Sequence, residues 1–509
     1  MQLVTRQQSR DFDRLAMAEY GITGEILMGN AGQKIAEFVR AQLVNIHQPH
    51  IGIVCGKGNN GGDGYATAVI LYNWGFRVTI YSLVVNEVKG DSKIYHEQCN
   101  EAGITIIYNA LLPTTKPKFD LMIDGLLGTG FIGKIREELF PWVDWLNNCC
   151  ETVSIDIPSG VDANSGVVDS HAVNANHTIT MGFSKVGMMI EPGKSYSGRI
   201  HPVDIGFPNI VSDLDGRKWS AISQEEIQTI IKPLHKSTYK HIQGKVLLIA
   251  GSKGMTGAAY LSTMAALRSG AGLTITCAPA SLNSIYEEKI TEGMTVPCED
   301  NGRGYLSKEN YNEIMKWVEW CDVVAIGPGL GNNSGTADLV EKLVQAVEKP
   351  MVIDADGLRP FYNNMDLFNQ IKNEFVITPH LGEMSQLIDT PADRIRNDLP
   401  TAIDKMINNF AGVLIAKFAP SLVAWGSKGA VNSTGNPGLA TAGSGDVLTG
   451  MVASFMAQGF NAVNAAKAAI YIHGKAADQL AKSISQRGMI AGDLLYKISL
   501  LSLEEYCLL

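Results

Sequence analysis

Short runs of β-branched and aliphatic residues alternate with longer stretches of mixed polarity along the whole chain. That alternation predicts parallel sheets covered by helices on both faces. In the first half the apolar runs 51–55, 77–82, 121–124 and 152–156 read as strands. In the second half the runs 245–250, 274–278, 322–326, 350–354, 374–378 and 412–417 do so. Several run straight into a loop rich in glycine or carrying an aspartate, and open α/β sheets put their ligands at the carboxyl ends of their strands. Between the two sets, GFPNIVSDLDGRKWSAISQEEIQTIIKPL holds turn residues and charges but no sustained strand pattern. A domain boundary is therefore expected at about residues 208–225, separating a domain 1–215 from a domain 225–509. No fixed-period repeat or low-complexity tract interrupts this reading.

Charge narrows the partners. The chain carries 42 Lys and Arg against 51 Asp and Glu, a net charge of −9. The deficit is not hiding a basic half, since residues 1–215 hold 16 Lys and Arg against 23 Asp and Glu. That balance argues against a nucleic-acid coat or an anionic membrane surface as partner. Eight cysteines without a CxxC pair suit buried, reduced thiols rather than a disulfide scaffold or a metal ribbon. The opening MQLVTRQQSRDFDRLAM has no apolar core, and no apolar run approaches the ~18 residues that span a bilayer, so a cytoplasmic setting is expected. Glycine, at 52 residues, stands out, and its tight clusters need a local explanation.

The first cluster follows the strand IGIVC. Gly56, Gly58 and Gly61 satisfy GxGxxG before a helix, the pattern of a dinucleotide-binding turn. Asn59 and Asn60 in that loop and Asp63 at the helix start oppose this reading, because an acid there repels a pyrophosphate. The next strand, RVTIYSL, also lacks the terminal acid that would bind ribose hydroxyls. Asn59, Asn60 and Asp63 suit a site that grips hydroxyls or amides, or a hard cation through oxygens. Two more strand ends converge on it: LMIDGLLGTGFIGK with Asp124, and VSIDIPSGVDANSG with Asp156 and Ser159. One aspartate at a strand end is commonly a turn cap, but three in one sheet point to a site.

GNNGGDG, DGLLGTG and SIDIPSGVD, in this order, resemble the N-terminal domain of the bifunctional NAD(P)H-hydrate repair enzymes over about residues 1–215. The resemblance implies an epimerase that interconverts the R and S hydrates at C6 of the nicotinamide ring, with Asp156 catalytic. It implies that Asn59, Asn60, Gly61, Gly62 and Asp63 bind the hydrated cofactor with Gly128, Thr129, Gly130, Phe131, Ile132, Gly133 and Lys134. It also implies a potassium ion among Asn60, Asp124 and Ser159.

The second half opens with a strand running into Gly251, Gly254 and Gly257 and a small-residue helix near Ala258. VVAIGPGLG, VIDADGL and FVITPHLGEM each end a strand in Gly, Asp or His, and His380 at such an end points to ligand contact. The sharpest signal is GNPGLATAGSGDVLTG. Gly443, Ser444 and Gly445 precede Asp446 and an apolar helix, so backbone N–H groups would form an anion hole for a transferring phosphoryl group. Asp446 beside that hole is suited to take the proton of an attacking hydroxyl.

GSGD before a helix resembles the ribokinase-like superfamily. With GPGLG, DADGL, ITPHLGE and GNPGLAT, residues 225–509 resemble its ADP/ATP-dependent NAD(P)HX dehydratase branch. The resemblance implies Ala258, Gly329, Gly331, His380 and the catalytic Asp446 on the substrate. It implies Lys417, Phe418, Ala419, Pro420, Ser421 and Gly445 on ADP or ATP, with Mg2+. KFAPS stands where the family usually reads KGxxT, which removes a flexible glycine and a backbone donor.

The combined expectation is two α/β/α sandwich domains, Rossmann-like and then ribokinase-like. Together they would repair NADHX and NADPHX at the expense of ADP or ATP, as a homo-oligomer with no nucleic-acid or membrane partner. The alternative is a ribokinase-like small-molecule kinase fused to a non-catalytic interaction domain. The intact Asp156 argues against that alternative.

Overall fold

The computed structural model describes residues 1–84, 88–108, 112, 117–208, 214–408 and 410–504, with side chains to residue 500. The chain divides into two compact units, Gln2–Trp219 and Ser220–Leu509, the latter including Met1. Residues 209–213 of the expected boundary segment lie outside the described residues.

The first unit is built on seven strands, all parallel. Their spatial order is Thr105–Tyr108, Arg77–Ser82, His50–Cys55, Leu121–Gly125, Thr152–Ile155, His177–Met181 and Arg199–Val203. This is a Rossmann-like order, reversing between His50–Cys55 and Leu121–Gly125. Alternation along each strand feeds two cores. Ile51, Ile53 and Ile123 meet Ile35, Val39, Tyr65 and Leu71 of helices Gly24–Gln42 and Asn59–Asn73 on one face. Val54, Tyr81 and Met122 meet Trp142, Trp145 and Leu146 of helix Phe140–Cys149 on the other.

The second unit carries a sheet in the order Met294–Cys298, Leu273–Pro279, Lys245–Ile249, Val323–Ile326, Met351–Ile353, Phe375–Ile377, Val413–Ala416, Leu422–Trp425 and Lys428–Val431. Pairing is parallel as far as Val413–Ala416. The last two strands are an antiparallel hairpin closed by Gly426 and Ser427. This departs from the wholly parallel expectation, and a two-residue loop permits nothing else. Val246 and Leu248 pack on helices Thr256–Arg268, Ser444–Ala457 and Ala462–Leu480. Helix Tyr311–Trp320 also packs against strand Lys245–Ile249. The second sheet reverses its chain order between Lys245–Ile249 and Val323–Ile326.

Candidate functional site

In the first unit a cavity of about 800 Å3 opens beyond the carboxyl ends of His50–Cys55 and Leu121–Gly125, where the chain order reverses. Asn59, Asn60, Asp63, Gly128, Thr129, Gly130, Phe131, Ile132, Lys134 and Asp156 all line it. Gly61 and Gly62 sit behind its wall. A Cβ on Gly61 would stand 2.1 Å from the Gly56 carbonyl oxygen, and one on Gly62 would stand 2.3 Å from Ser92 Oγ. Both are glycine because the loop packs on itself and on its neighbours. Gly133 turns the 128–134 loop with φ +81°. The loop is tethered by Arg6, whose Nε donates to the Thr129 carbonyl at 3.1 Å while its guanidinium pairs with Asp162. Lys134 is directed outward to Asp169 at 3.1 Å.

Asp124 and Ser159 lie fully buried beneath the cavity. The Asp124 carboxylate accepts from Ser159 Oγ at 2.6 Å, Ser154 Oγ at 2.8 Å, Ser159 N–H at 2.9 Å and Leu126 N–H at 3.2 Å. Burial outweighs these bonds and raises its pKa, and no cationic side chain forms an ion pair with it among the described residues. Ser159 Oγ, whose proton goes to Asp124, lies 3.2 Å from the Leu127 carbonyl oxygen, and Asn60 Nδ2 donates to that oxygen at 3.0 Å. Asp124, Ser159 Oγ and the Leu127 carbonyl thus form an oxygen set with one carboxylate, next to the Asn60 amide, and with no ion-pair partner among the described residues. That set fits a large monovalent cation, and it lacks the carboxylates of a dedicated divalent site.

Asp156 follows its strand with φ +64°, held by its N–H to the Ile179 carbonyl at 2.7 Å. Aspartate is among the residues that tolerate this region, and here the turn aims its carboxylate into the cavity. Lys185, fully buried, ion-pairs with it and also donates to Thr180 Oγ1 at 2.9 Å; Met181 N–H adds a bond at 3.1 Å. Burial, then the charge of Asp156, raises Asp13 to about 6 and Asp63 well above the usual carboxylate range. The pocket therefore holds one acid, Asp63, biased toward its protonated form and a second, Asp13, that gives up its proton near pH 6, beside an ion-paired carboxylate. Asp13 and Arg10, from helix Arg6–Tyr20, line the cavity and carry no motif, and neither does Lys185. The one sequence signal for Lys185 is a lone lysine leading the apolar run VGMMI.

In the second unit Gly443 takes φ +88° as N-cap of helix Ser444–Ala457. The N–H groups of Gly445 and Asp446 lie in the first turn, which has no acceptors inside the helix. Burial, then repulsion from Asp354, lifts the half-buried Asp446 to about 7. Beneath it Lys417 Nζ donates to Asp354 Oδ1 at 2.6 Å, and the Thr449 hydroxyl donates to Asp354 Oδ2 at 2.6 Å. Burial opposes ionisation of Asp354, but these partners outweigh it and hold its pKa below the usual range. A Cβ on Gly445 would stand 3.2 Å from Lys417 Nζ, so the structure brings those two predicted residues together. Lys417 is directed at Asp354, while Phe418, Pro420 and Ser421 are half-buried and Ala419 is exposed.

Ala258 and Gly329 also meet, since a Cβ on Gly329 would fall 2.8 Å from that of Ala258. Gly331 N–H donates to Asp356 Oδ2 at 2.8 Å. His380 caps helix Leu381–Leu387: its Nδ1 accepts from Gly382 and Glu383 N–H at 3.0 and 3.2 Å, leaving its ring exposed. Two further residues complete the surroundings, Glu383 at the end of ITPHLGE and His473, which no motif marks. Burial raises Glu383 to about 7, and burial lowers His473, on the helix below Ser444, to about 4, so that it is neutral. Among the described residues no group of three His, Cys, Asp or Glu converges as a metal site.

A Rossmann-like unit with an acidic, hydroxyl-gripping pocket, and a second α/β unit with a kinase-type glycine turn, define a two-site α/β enzyme. The family described as NAD(P)H-hydrate dehydratase matches residues 246–500, and that described as YjeF-related protein N-terminus matches residues 24–187. The bifunctional NAD(P)H-hydrate repair enzyme Nnr of Moorella thermoacetica is 35% identical over 505 residues, covering 97% of this chain and 95% of that one. The enzyme of the same name from Vibrio cholerae is 32% identical over 493 residues, 96% of each. Among solved structures, a hypothetical protein from Streptococcus mutans is 25% identical, with a TM-score of 0.49, covering 56% of this chain and 99% of that one. The chain belongs to the family of bifunctional NAD(P)H-hydrate repair enzymes.

Proposed function

We propose that the first unit epimerises the R and S hydrates of NADH and NADPH, and that the second dehydrates the S form with ADP or ATP. The observation that carries this reading is Asp446, half-buried beside the Gly443 turn with its pKa near 7. A base so tuned matches a reaction at neutral pH. The C6 hydroxyl oxygen attacks the terminal phosphorus of the nucleotide while Asp446 accepts its proton, and the bond from that phosphorus to the bridging oxygen breaks, releasing AMP from ADP or ADP from ATP. The C6–O bond of the resulting ester then breaks, phosphate leaves with the electron pair, and loss of the C5 proton forms the C5=C6 double bond. Lys417, held by Asp354 beside Gly445, supports a phosphate lying over the first turn of the helix. Mg2+ would come with the nucleotide, supplying charge screening between phosphates, with Asp446 and Asp354 the nearest acids at the turn.

In the first unit, a protonated Asp63 gives its proton to the departing C6 hydroxyl, which leaves as water. Water returns to either face and restores the proton, so nothing is consumed. Asp156, oriented by Lys185, aligns the hydroxyl. Asn60, Asp124 and Ser159 would hold potassium, which would supply the counter-charge that the buried carboxylate lacks. Among the described residues no helix is long and apolar enough to cross a membrane. The net charge of −9 supports the absence of a nucleic-acid partner. The test is to mix prepared NADHX with protein and ADP and follow the absorbance of reduced nicotinamide. No rise, with the R and S forms left unexchanged, would refute the reading.

A further inference from the structure

A second cavity, of about 610 Å3, opens where the chain order of the second sheet reverses. Its walls are the loop carrying Ser252 and Lys253, the turn carrying Arg303 and Tyr305, the loop at Gly331, and the segment carrying Asp356 and Arg359. It shares Gly331 and Met255 with the surroundings of Ala258 and Gly329: the Met255 carbonyl stands 2.8 Å from a Cβ built on Gly329. Leu261, one turn along the helix from Ala258, packs on Gly443, 2.5 Å from a Cβ built there. One helix therefore joins the Asp446 turn to the mouth of this cavity.

The lining is cationic in an acidic chain. Lys253, Arg303 and Arg359 face one carboxylate, Asp356. Arg359 gives that carboxylate only its Nε, at 3.1 Å, and Arg303 pairs with Glu309 at 2.6 Å. Lys253 is exposed and has no carboxylate partner among the described residues. Its backbone N–H to the Gly304 carbonyl, at 2.7 Å, ties the lysine loop to the arginine turn. The volume admits a nucleoside as well as a phosphate. The Tyr305 ring, 5.4 Å from the Arg303 guanidinium carbon, offers a flat face.

If the reacting C6 lies at Asp446, as the dehydratase reading holds, the part of the dinucleotide passing Ala258 is its adenosine half. An unphosphorylated adenosine is neutral and makes no use of three cations, whereas a phosphate monoester brings a charge of about −1.5 to −2. We infer that this cavity receives the adenosine half of the hydrated dinucleotide, with Lys253, Arg303 and Arg359 binding its ribose 2′-phosphate, so that the second unit prefers NADPHX to NADHX.

The experiment compares kcat/KM for the S forms of NADPHX and NADHX, at saturating ADP, in the wild type, Lys253→Ala, Arg359→Ala and Lys253→Arg. The wild type should favour NADPHX. Loss of one charge-assisted hydrogen bond should cut the NADPHX-to-NADHX ratio about tenfold in each alanine variant. Lys253→Arg should restore it, and rising salt should erode the wild-type preference. An equal loss for both substrates would assign the cations to the pyrophosphate and overturn the proposal, as would a ratio unmoved in both alanine variants. A wild type that converts neither hydrate would instead fail the dehydratase reading itself.

Discussion

Replacing Asp446 by Asn separates the two sites by chemistry. The amide keeps the size of the side chain and its place in the first turn of helix Ser444–Ala457. It cannot accept a proton, and loss of a positioned general base typically costs ~10²–10⁴ in rate. Stability should move the other way. Burial and Asp354 raise the Asp446 carboxyl from 3.8 to about 7, so the folded state binds more protons than the unfolded state between those values. Its contribution to stability is thus complete below pH 3.8 and is lost as pH rises through about 7. At pH 8 the wild type keeps an ionised Asp446 beside Asp354, and the Asn variant does not, so the variant should melt no earlier there. The assay feeds each protein an R-only hydrate with ADP and separates R, S and NADH by chromatography. The variant should yield an R/S mixture with almost no NADH, because Asp156 belongs to the other unit and needs no nucleotide. Near-normal NADH would remove Asp446 from catalysis and leave it a helix cap. Low activity with a lowered melting temperature at pH 8 would refute the electrostatic argument.

Wild-type dehydration should rise through about pH 7, with kcat/KM about tenfold lower at pH 6 than at pH 8, since the ionised fraction of Asp446 changes by that factor; a flat profile would contradict Asp446 as base. Asp124→Asn should lower epimerisation and its dependence on potassium while dehydration of the S form continues, and equal loss of both would indicate unfolding instead. Lys185→Met strands Asp156 as a buried, unpaired carboxylate, a cost of about 3–5 kcal/mol readable by urea denaturation, with epimer exchange lost; unaltered stability would mean that the ion pair contributes nothing. Omitting nucleotide and adding chelator should abolish NADH formation, and full conversion under those conditions would exclude phosphorylation as the route.

The legible parts of the fold are the buried strands that read as unbroken apolar runs; His177–Met181 is buried too, but its HTITM alternates polar residues and gave no such run. Thr105–Tyr108 escaped prediction because it is a largely exposed edge, and Met294–Cys298 because Pro297 interrupts another edge. The sites divide along a similar line. Asn59, Asp124, Asp156 and Asp446 stand where the chain leaves a strand or enters a helix, so the glycines and prolines of those turns mark them. Asp13, Arg10, Lys185 and His473 reach the same chemistry from helices and a two-residue strand whose local sequence has no other duty to advertise. Their roles exist only in the packing. Asp156 shows the consequence: its motif is visible, but the buried lysine that orients it comes 29 residues later without a pattern. Lys417 shows the converse, because the motif position pointed to a nucleotide while the fold first commits the ammonium to Asp354. A lysine so committed is held under the Gly445 turn, and in the proposed reaction it would offer a phosphate a fixed positive charge instead of a flexible arm.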